Sequence, residues 1–246
     1  MKEYYNMIYK RKTIRKYDDS LCLSSKEIAE IEQHTEKLIP LIPDIKTKFK
    51  VVPKDHTTAK RGEFCLLFYS EKKPHYLLNA GYLLEQVDLF LCSQNIGVCW
   101  YALAKPKIEN EDDLEYVIML AFGKSRADDF RTSVKEFKRK DKDIIWSGCF
   151  DEDIVEAIRL APSACNTQPW RIRSSDSTIT IYRNTKIKSF IPASKLPYYN
   201  SIDIGISLCF LETALLYKGL DYTRQLSEEN DSDSELIEIA TYSLKQ

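Results

Sequence analysis

Glycine and histidine are scarce in this chain, and long apolar runs are absent from it. Its 246 residues include seven glycines, and none of them forms a G-x-G-x-x-G or P-loop pattern, so a dedicated dinucleotide-binding fold is not expected. The three histidines lie in unrelated contexts, and we expect no metal site. No apolar run approaches the roughly 20 residues that span a bilayer, so we expect no membrane partner.

Neither sign of charge is in excess, and the cysteines show no pairing pattern. Lys and Arg number 36 against 37 Asp and Glu, a net charge of −1, which leaves no basic excess to neutralise nucleic-acid phosphates. The seven cysteines contain no C-x-x-C pair, and the first residues, Met-Lys-Glu-Tyr-Tyr-Asn, lack the apolar core of a signal peptide. We therefore expect a cytoplasmic protein with reduced thiols and no nucleic-acid partner.

The strongest chemical signal is a polar loop between a helix and a strand. Asp151 to Ala161 is predicted to be an amphipathic helix that Asp151 caps and Pro162 ends. Pro169 should then hold Gln168 extended, and Trp170 begins a strand. A rigid loop with hydroxyls and amides suits the edge of a flat, polar heterocycle, although an ordinary polar turn has the same composition. The candidate binding residues in this loop are Pro162, Ser163, Ala164, Asn166 and Gln168.

Two basic segments are candidates for holding a phosphate. In Tyr9 to Tyr17, Arg11 and Arg15 are four residues apart, so in a helix they would share a face, with Thr13 nearby. Guanidinium groups bind phosphate through paired hydrogen bonds, but a solvated basic helix end shows the same pattern. The second segment, Lys138-Arg139-Lys140, lies in the charged stretch 124–142, which is either a phosphate contact or a solvated linker.

Apolar periodicity predicts the scaffold around these segments. Runs typical of strands occur at 48–52, 65–69 and 116–122, with a hairpin-like alternation at 178–182. Helices that are apolar on nearly every face are predicted at 81–96 and 201–219, which places both in the protein interior. Residues 105–116 are polar and are predicted to be helical, and 235–244 is predicted to be a final strand or helix.

Several segments resemble the FMN-dependent nitroreductase family. Ala161 to Trp170 resembles the family's Pro-Ser-Ser-x-Asn-x-Gln-Pro-Trp loop, and Arg11 to Tyr17 resembles its FMN-holding Arg-x-Ser-x-Arg-x-Phe segment, with Thr13 in place of the serine. Gly81 to Tyr101 is similar to the family's central helix and its Gly-x-Gly-Thr-x-Trp turn, which passes the flavin. Met119 to Lys124 resembles a family strand end after which a basic pair helps to hold the FMN phosphate.

The resemblance implies an α+β fold, with an antiparallel-type sheet flanked by helices. In ordinary members of the family, two identical chains each supply one side of an FMN site. Here the basic segment and the polar loop occur once each, in different halves of one chain. We therefore expect two pseudo-symmetric halves, 1–146 and 147–246, that form one integrated unit with one FMN per chain. A monomeric pseudo-dimer is expected, and further association stays open.

The activity that the resemblance implies is that of an FMN-dependent NAD(P)H oxidoreductase. Hydride would pass from NADH or NADPH through flavin N5 to a small acceptor such as a nitroaromatic or a quinone, so no catalytic protein residue is expected. The residues that the resemblance and their chemistry assign to the cofactor are Arg11, Lys12, Thr13, Arg15, Trp100, Lys138, Arg139, Lys140, Pro162, Ser163, Ala164, Asn166 and Gln168.

Two other functions are compatible with the same residues. The fold could serve as an FMN-binding sensor or storage protein without catalysis. Alternatively, Cys165 could be the nucleophile of a thiol transferase or hydrolase, although no histidine lies near it in sequence to act as a base. No motif supports a purely protein-binding module.

Overall fold

Two sheets and two long buried helices make up most of the computed structural model, which describes residues 1–18, 20–108, 113–228 and 234–245. The helices are α1 (Tyr5–Lys10), α2 (Ser25–Thr35), α3 (Tyr76–Ser93), α4 (Lys142–Ile145), α5 (Glu152–Arg159) and α6 (Leu196–Tyr217). The strands are β1 (Thr47–Pro53), β2 (Phe64–Ser70), β3 (Ile96–Tyr101), β4 (Glu115–Lys124), β5 (Trp146–Ser147), β6 (Trp170–Ser174), β7 (Thr178–Asn184), β8 (Tyr222–Leu226) and β9 (Leu236–Leu244). The predicted α+β class is confirmed.

The two sheets repeat one connectivity. The first sheet has the strand order β1-β2-β4-β3, and the second has β5-β6-β7-β9-β8, so its last four strands follow the same order as the first sheet. In each sheet an antiparallel pair is followed by a long apolar helix and then by a second antiparallel pair. An irregularity in pairing also recurs, between Phe68 and Tyr69 in β2 and between Ile181 and Tyr182 in β7. Among the strands that the structure describes, only β5, which pairs parallel with β6, has no counterpart in the first sheet.

Helices α3 and α6 cross at the centre of the protein, where each presents a glycine to the other. A Cβ atom added at Gly81 would lie 2.0 Å from the carbonyl oxygen of Ile202, and one added at Gly205 would lie 2.0 Å from that of Leu78. Glycine is therefore required at both positions for the two backbones to touch. None of the helices in the described part of the chain combines the length and the apolar character needed to cross a membrane.

The same sequence spacing relates further pairs of residues in the two halves. The interval from Gly81 to Gly205 also separates Ser93 from Tyr217, the last residues of α3 and α6. It separates Asn95 (φ 55°) from Gly219 (φ 72°) as well, and each of these left-handed residues comes just after the C-cap residue of its helix. Positions of the two halves that lie at this spacing therefore correspond to each other.

Several predicted elements differ from the observed ones. Helix α3 begins at Tyr76 and not at 81, and it ends at Ser93 and not at 96, because the left-handed Asn95 turns the chain into β3. Helix α5 ends at Arg159, before the predicted end at Ala161. Helix α6 begins at Leu196, earlier than 201, with Pro197 in its first turn, where the missing N–H costs nothing. The predicted helix at 105–116 is absent from its described residues, since Glu115 and Tyr116 belong to β4, and 109–112 lie outside the described part.

A buried carboxylate on α6 connects the two helices to the second sheet. Glu212, only 3% exposed, accepts hydrogen bonds from the hydroxyls of Tyr82 and Tyr222 at 2.6 Å and of Tyr242 at 2.7 Å. The guanidinium of Arg224 pairs with its other side. A buried ion pair whose remaining acceptor positions are satisfied is costly to break from one side only.

We expect Glu212→Gln to lower the free energy of unfolding by about 3 kcal/mol, because it leaves the charge of Arg224 without its partner. Urea unfolding at neutral pH measures the loss. Glu32→Gln, an exposed glutamate on α2, is the matched control and should change stability by less than about 0.5 kcal/mol. Equal stability of Glu212→Gln and the control would show that the network is not formed.

Candidate functional site

A cavity of about 510 Å³ lies where residues from both halves of the chain meet. From the N-terminal half it is lined by Thr13, Arg15, Trp100, Ala102, Leu103 and Ile118. From the C-terminal half it is lined by Pro162, Ser163, Ala164, Cys165, Phe190, Ile191, Pro192, Lys195, Tyr199, Ile202, Asp203 and Ile206. The structure thus brings the basic segment, the Trp100 turn and the polar loop to one space, although they are far apart in sequence.

The basic segment reaches the cavity as an extended chain and not as a helix. Helix α1 ends at Lys10, and the prediction that Arg11 and Arg15 share a helical face is wrong. The backbone N–H of Ile14 donates to the carbonyl oxygen of Val98 at 2.9 Å, so the segment runs parallel to β3 beside Thr13. Gly97 permits this approach, because a Cβ there would lie 2.8 Å from Ile14 and 2.4 Å from the hydroxyl of Ser125.

Arg11 lies behind the cavity wall and not on it. Its side chain is 1% exposed; its Nη2 donates to Asp88 at 2.9 Å, and its Nε lies 3.6 Å from a carboxyl oxygen of Glu85. Burial would lower the pKa of Arg11, but the two carboxylates raise it, so the guanidinium stays charged. The same Asp88 oxygen accepts from Trp100 Nε1 at 2.9 Å. Arg11 therefore fixes the carboxylate that orients the indole at the cavity.

The polar loop has a strained backbone. Cys165, Asn166 and Gln168 have φ angles of 50°, 57° and 49°, and each non-glycine residue in this region costs on the order of 1–3 kcal/mol. The prediction that Gln168 is extended is wrong. Its backbone N–H instead donates to Ser163 Oγ at 2.9 Å, which closes the loop.

The carboxyl group of Asp203, on α6, also forms hydrogen bonds with this loop. One carboxyl oxygen accepts from the backbone N–H of Ala164 at 2.9 Å, and the other from the hydroxyl of Thr167 at 3.3 Å. Asp203 is 3% exposed and lines the cavity. Burial raises the pKa of this carboxyl to about 7, although both hydrogen bonds lower it. The sequence analysis missed Asp203, and the available signal was an acid inside the apolar run of α6.

The other predicted residues of the loop bind the second basic segment and do not line the cavity. The side chain of Asn166 accepts from Arg139 Nη1 at 3.1 Å and donates to the carbonyl oxygen of Lys138 at 3.0 Å. The Gln168 side chain accepts from the backbone N–H of Lys140 at 2.8 Å. Lys140 Nζ donates to the carbonyl oxygen of Thr167 at 2.6 Å. These contacts hold the second basic segment against the loop.

Three guanidinium groups form a basic cluster beside the cavity, namely Arg11, Arg131 and Arg139. Arg131 donates to the carbonyl oxygen of Arg11 and Arg139 to that of Leu160, so the cluster joins the two segments that continue to the cavity wall. Burial lowers the pKa of Arg131 and of Arg139, and the charge of Arg11 lowers both further. Asp88 accepts from Arg11, whereas burial raises the pKa of Glu85 well above its ordinary value and favours its neutral form, so the positive charge of the cluster is only partly offset. Arg131 was missed by the sequence analysis.

The mouth of the cavity combines apolar and basic side chains. Leu103 is 78% exposed and Phe190 is 99% exposed, yet both line the cavity. Arg15 and Lys195 are exposed there, and neither forms an ion pair with another residue that the structure describes. Lys12 is half-buried and is absent from the wall. Phe190 and Lys195 lie between β7 and α6, where the sequence carries no local signal for a site.

The described residues provide neither a cluster of metal ligands nor a histidine base beside the cysteine of the polar loop. Across the described residues, no group of three or more histidine, cysteine or acidic side chains could hold a metal ion. Cys165 is exposed at the cavity, but the described lining includes no histidine to act as its base.

Fold and site together define a two-sheet α+β protein with a cavity between its halves, flanked by a basic cluster. The family model described as "Putative TM nitroreductase" matches residues 3–215. The chain therefore belongs to this nitroreductase family.

Two solved structures are similar to the chain. A Thermotoga maritima protein of the same description has 21% sequence identity and a TM-score of 0.63, and the match covers 98% of this chain and 92% of that one. This likeness shows the fold. A nitroreductase family protein from Clostridium novyi has 18% identity over 50% of this chain and 85% of its own, with a TM-score of 0.39, too low to support an argument. No curated protein matches the chain.

Proposed function

We propose that this protein is an FMN-dependent NAD(P)H oxidoreductase that reduces a small electron acceptor such as a nitroaromatic or a quinone. The observation that carries the proposal is the single cavity lined by Thr13, Arg15 and Trp100 from one half and by Pro162 to Ala164 from the other. Bound FMN would accept hydride from NADH or NADPH and pass it on, so the chain supplies binding and orientation.

The residues present fit FMN. Trp100, Ile118 and Ile206 offer an apolar wall to a flat ring. The strained loop would offer Ser163 and Ala164 to the cofactor from one half of the chain, and Thr13 and Arg15 would contact it from the other.

The phosphate would bind at the basic cluster. Burial and neighbouring arginines lower the pKa of Arg131 and Arg139 more than Glu136 and Glu85 raise it. A phosphate between the two guanidinium groups would add counter-charge, and such paired hydrogen bonds are strong. The backbone hydrogen bonds from Thr132 and Ser133 lower the pKa of Glu136, and the charges of Lys12 and Arg131 lower it further. The charge of Lys12 therefore adds to the same region. Asn166, Gln168, Lys138 and Lys140 act in this proposal by fixing the loop against the cluster.

The proposal includes a pseudo-dimer with one FMN per chain. The repeated strand order and the reciprocal glycine contact support equating residues 1–146 and 147–246 with two protomers. At the position matching Trp100 the second half has Arg224, which donates to the carbonyl oxygen of Leu41 at 2.9 Å and so bridges strand and loop. We propose a cytoplasmic monomer on this basis, with a small-molecule acceptor as its partner.

Anaerobic reduction tests the activity. We expect NADH or NADPH to bleach the visible bands of the FMN-loaded protein, and a quinone or nitroaromatic to restore them over many turnovers. Bands that neither nucleotide bleaches would favour the alternative of a non-catalytic sensor or storage protein. A protein that takes up no FMN would overturn the proposal.

We expect Cys165→Ala to retain more than half of the NAD(P)H-dependent activity, since the thiol takes no part in hydride transfer. Cys22→Ala, another exposed cysteine away from the cavity, is the matched control. Steady-state turnover with one quinone measures both variants. Loss of more than 90% of turnover in Cys165→Ala alone would revive the thiol-based alternative.

A further inference from the structure

Asn79 is the counterpart of Asp203 in the other half, and it supports a loop in the same way with an amide in place of a carboxyl group. Asn79 of α3 lies at the same spacing from Asp203 as Gly81 from Gly205. The side-chain oxygen of Asn79 accepts from the backbone N–H groups of Leu41 at 2.9 Å and Ile42 at 3.2 Å. Each side chain thus holds the loop that follows a proline, Pro40 in one half and Pro162 in the other.

Holding the loop does not require a carboxyl group. Asn79 is fully buried and accepts two backbone hydrogen bonds, so an amide suffices. A buried carboxylate costs more than a buried amide unless a cation pairs with it, and among the described residues no cation pairs with Asp203. Loop support alone therefore does not explain a carboxyl group at 203, which adds a titratable proton that the amide of Asn79 lacks. Asp203 also lines the cavity, whereas Asn79 does not.

We propose that Asp203 is a catalytic residue that donates the proton accompanying hydride when the acceptor is reduced in the cavity. This inference rests on the proposed function. Two-electron reduction of a quinone adds one hydride, supplied by the nicotinamide through the cofactor, and one proton. The O–H bond of Asp203 breaks, a new O–H bond forms on the acceptor oxygen, and the carboxylate takes a proton back from water.

The protonation of Asp203 suits this role. With a pKa raised by burial to about 7, the carboxyl carries a proton in a large fraction of molecules at neutral pH, as a general acid requires. The charged or titratable side chains that share the cavity wall with Asp203 are Arg15, Cys165, Lys195 and Tyr199. Of the two helices with the largest contacts to α6, α3 carries Glu85 and Asp88, and α5 carries Glu152, Asp153, Glu156 and Arg159. Burial raises the pKa of Asp203, its two hydrogen bonds lower it, and none of these groups contributes.

Asp203→Asn separates proton donation from loop support. We expect FMN affinity within about threefold of wild type, an unchanged rate of bleaching by NADPH, and quinone reduction slowed by about 100-fold, within the range for a lost general acid. Ferricyanide, which accepts electrons without protons, should be reduced at the wild-type rate. The fall of quinone reduction with rising pH near 7 should disappear in the variant. Asn79→Asp is the control and should leave this pH profile in place.

A measurement without turnover tests the proton itself. In protein labelled with ¹³C at aspartate carboxyls, the resonance lost in Asp203→Asn should titrate near pH 7 in the FMN-free chain.

The pH dependence of the free energy of unfolding provides a second check on the raised pKa of Asp203. The folded pKa lies above the unfolded value of about 3.8, so the contribution of wild-type Asp203 is present below pH 4 and is lost as pH rises toward 7. The unfolding midpoint of Asp203→Asn relative to wild type should therefore rise over that window.

The outcomes separate the inference from the proposed function. An Asp203 resonance that titrates below pH 5, or an Asp203→Asn protein that reduces quinone at the wild-type rate with the wild-type pH profile, overturns proton donation and leaves the oxidoreductase intact. Equal losses with quinone and with ferricyanide would mean that Asp203 only supports the site. A wild-type protein that binds FMN but oxidises no NAD(P)H contradicts the proposed function instead.

Discussion

Replacing Gly81 with alanine is expected to destabilise the protein by more than about 3 kcal/mol, and Gly205→Ala should do the same. The added Cβ would lie 2.0 Å from a carbonyl oxygen of the opposing helix, so α3 and α6 must separate at the centre of the core. Overpacking of a tight core typically costs 1–3 kcal/mol, and here backbone and not side chain has to move. Thermal or urea unfolding of the purified variants measures the loss, and failure to fold is the extreme case.

The sign of the change in the free energy of unfolding distinguishes the two effects, because helix propensity alone predicts that alanine stabilises the protein. Alanine in place of a helical glycine stabilises an isolated helix by about 1 kcal/mol. Gly219→Ala is the matched control: this glycine has φ 72° and open space around its missing Cβ, so we expect a loss of only about 1 kcal/mol from the strained backbone. A Gly81→Ala protein as stable as wild type would contradict the helix crossing on which the pseudo-symmetry depends.

Removing a guanidinium from the basic cluster is expected to weaken FMN binding by about 10- to 100-fold. A hydrogen bond to a charged group contributes about 1.5–3 kcal/mol, and each 1.4 kcal/mol is a factor of ten in affinity. Arg131→Met and Arg139→Met keep most of the apolar stem of the side chain and remove the charge. Quenching of flavin fluorescence on titration of the FMN-free protein gives the affinity.

Binding of riboflavin, which lacks the phosphate, shows why the affinity for FMN falls in these variants. Loss of a phosphate contact lowers affinity for FMN alone, whereas damage to the loop, which Arg139 contacts through Asn166, lowers affinity for both ligands. Lys138→Met is the control, because Lys138 is exposed and contacts the loop through its backbone. If Arg131→Met and Arg139→Met bind FMN as tightly as this control does, the phosphate lies elsewhere, and Arg15 and Lys195 become the next candidates.

Sequence reasoning succeeded where the signals are local. The Asp151 cap accepts from the backbone of Asp153 and Ile154 as predicted, and Trp170 begins β6. The apolar runs gave the two central helices, because a helix that is apolar on every face has only the interior to occupy. The family motifs also indicated which segments meet at the cavity.

The remaining features depend on residues far apart in the chain. Arg11 is buried because Asp88, 77 residues away, accepts its hydrogen bond, and no spacing within the basic segment shows this. Gln168 adopts a left-handed backbone because its N–H closes the loop onto Ser163, which overrides the extended preference before a proline. The burial of Asp203 and its correspondence to Asn79 depend on the three-dimensional arrangement of the two halves, so the sequence alone does not predict them.

Titration of the FMN-free protein with FMN tests the central claim most directly. One cavity is built from unlike segments of the two halves, and at the matching place Arg224 bridges strand and loop. Fluorescence quenching should therefore saturate at one FMN for each chain. Saturation at two FMN per chain would contradict the single site between unlike halves, and saturation at one FMN for every two chains would contradict the monomeric pseudo-dimer.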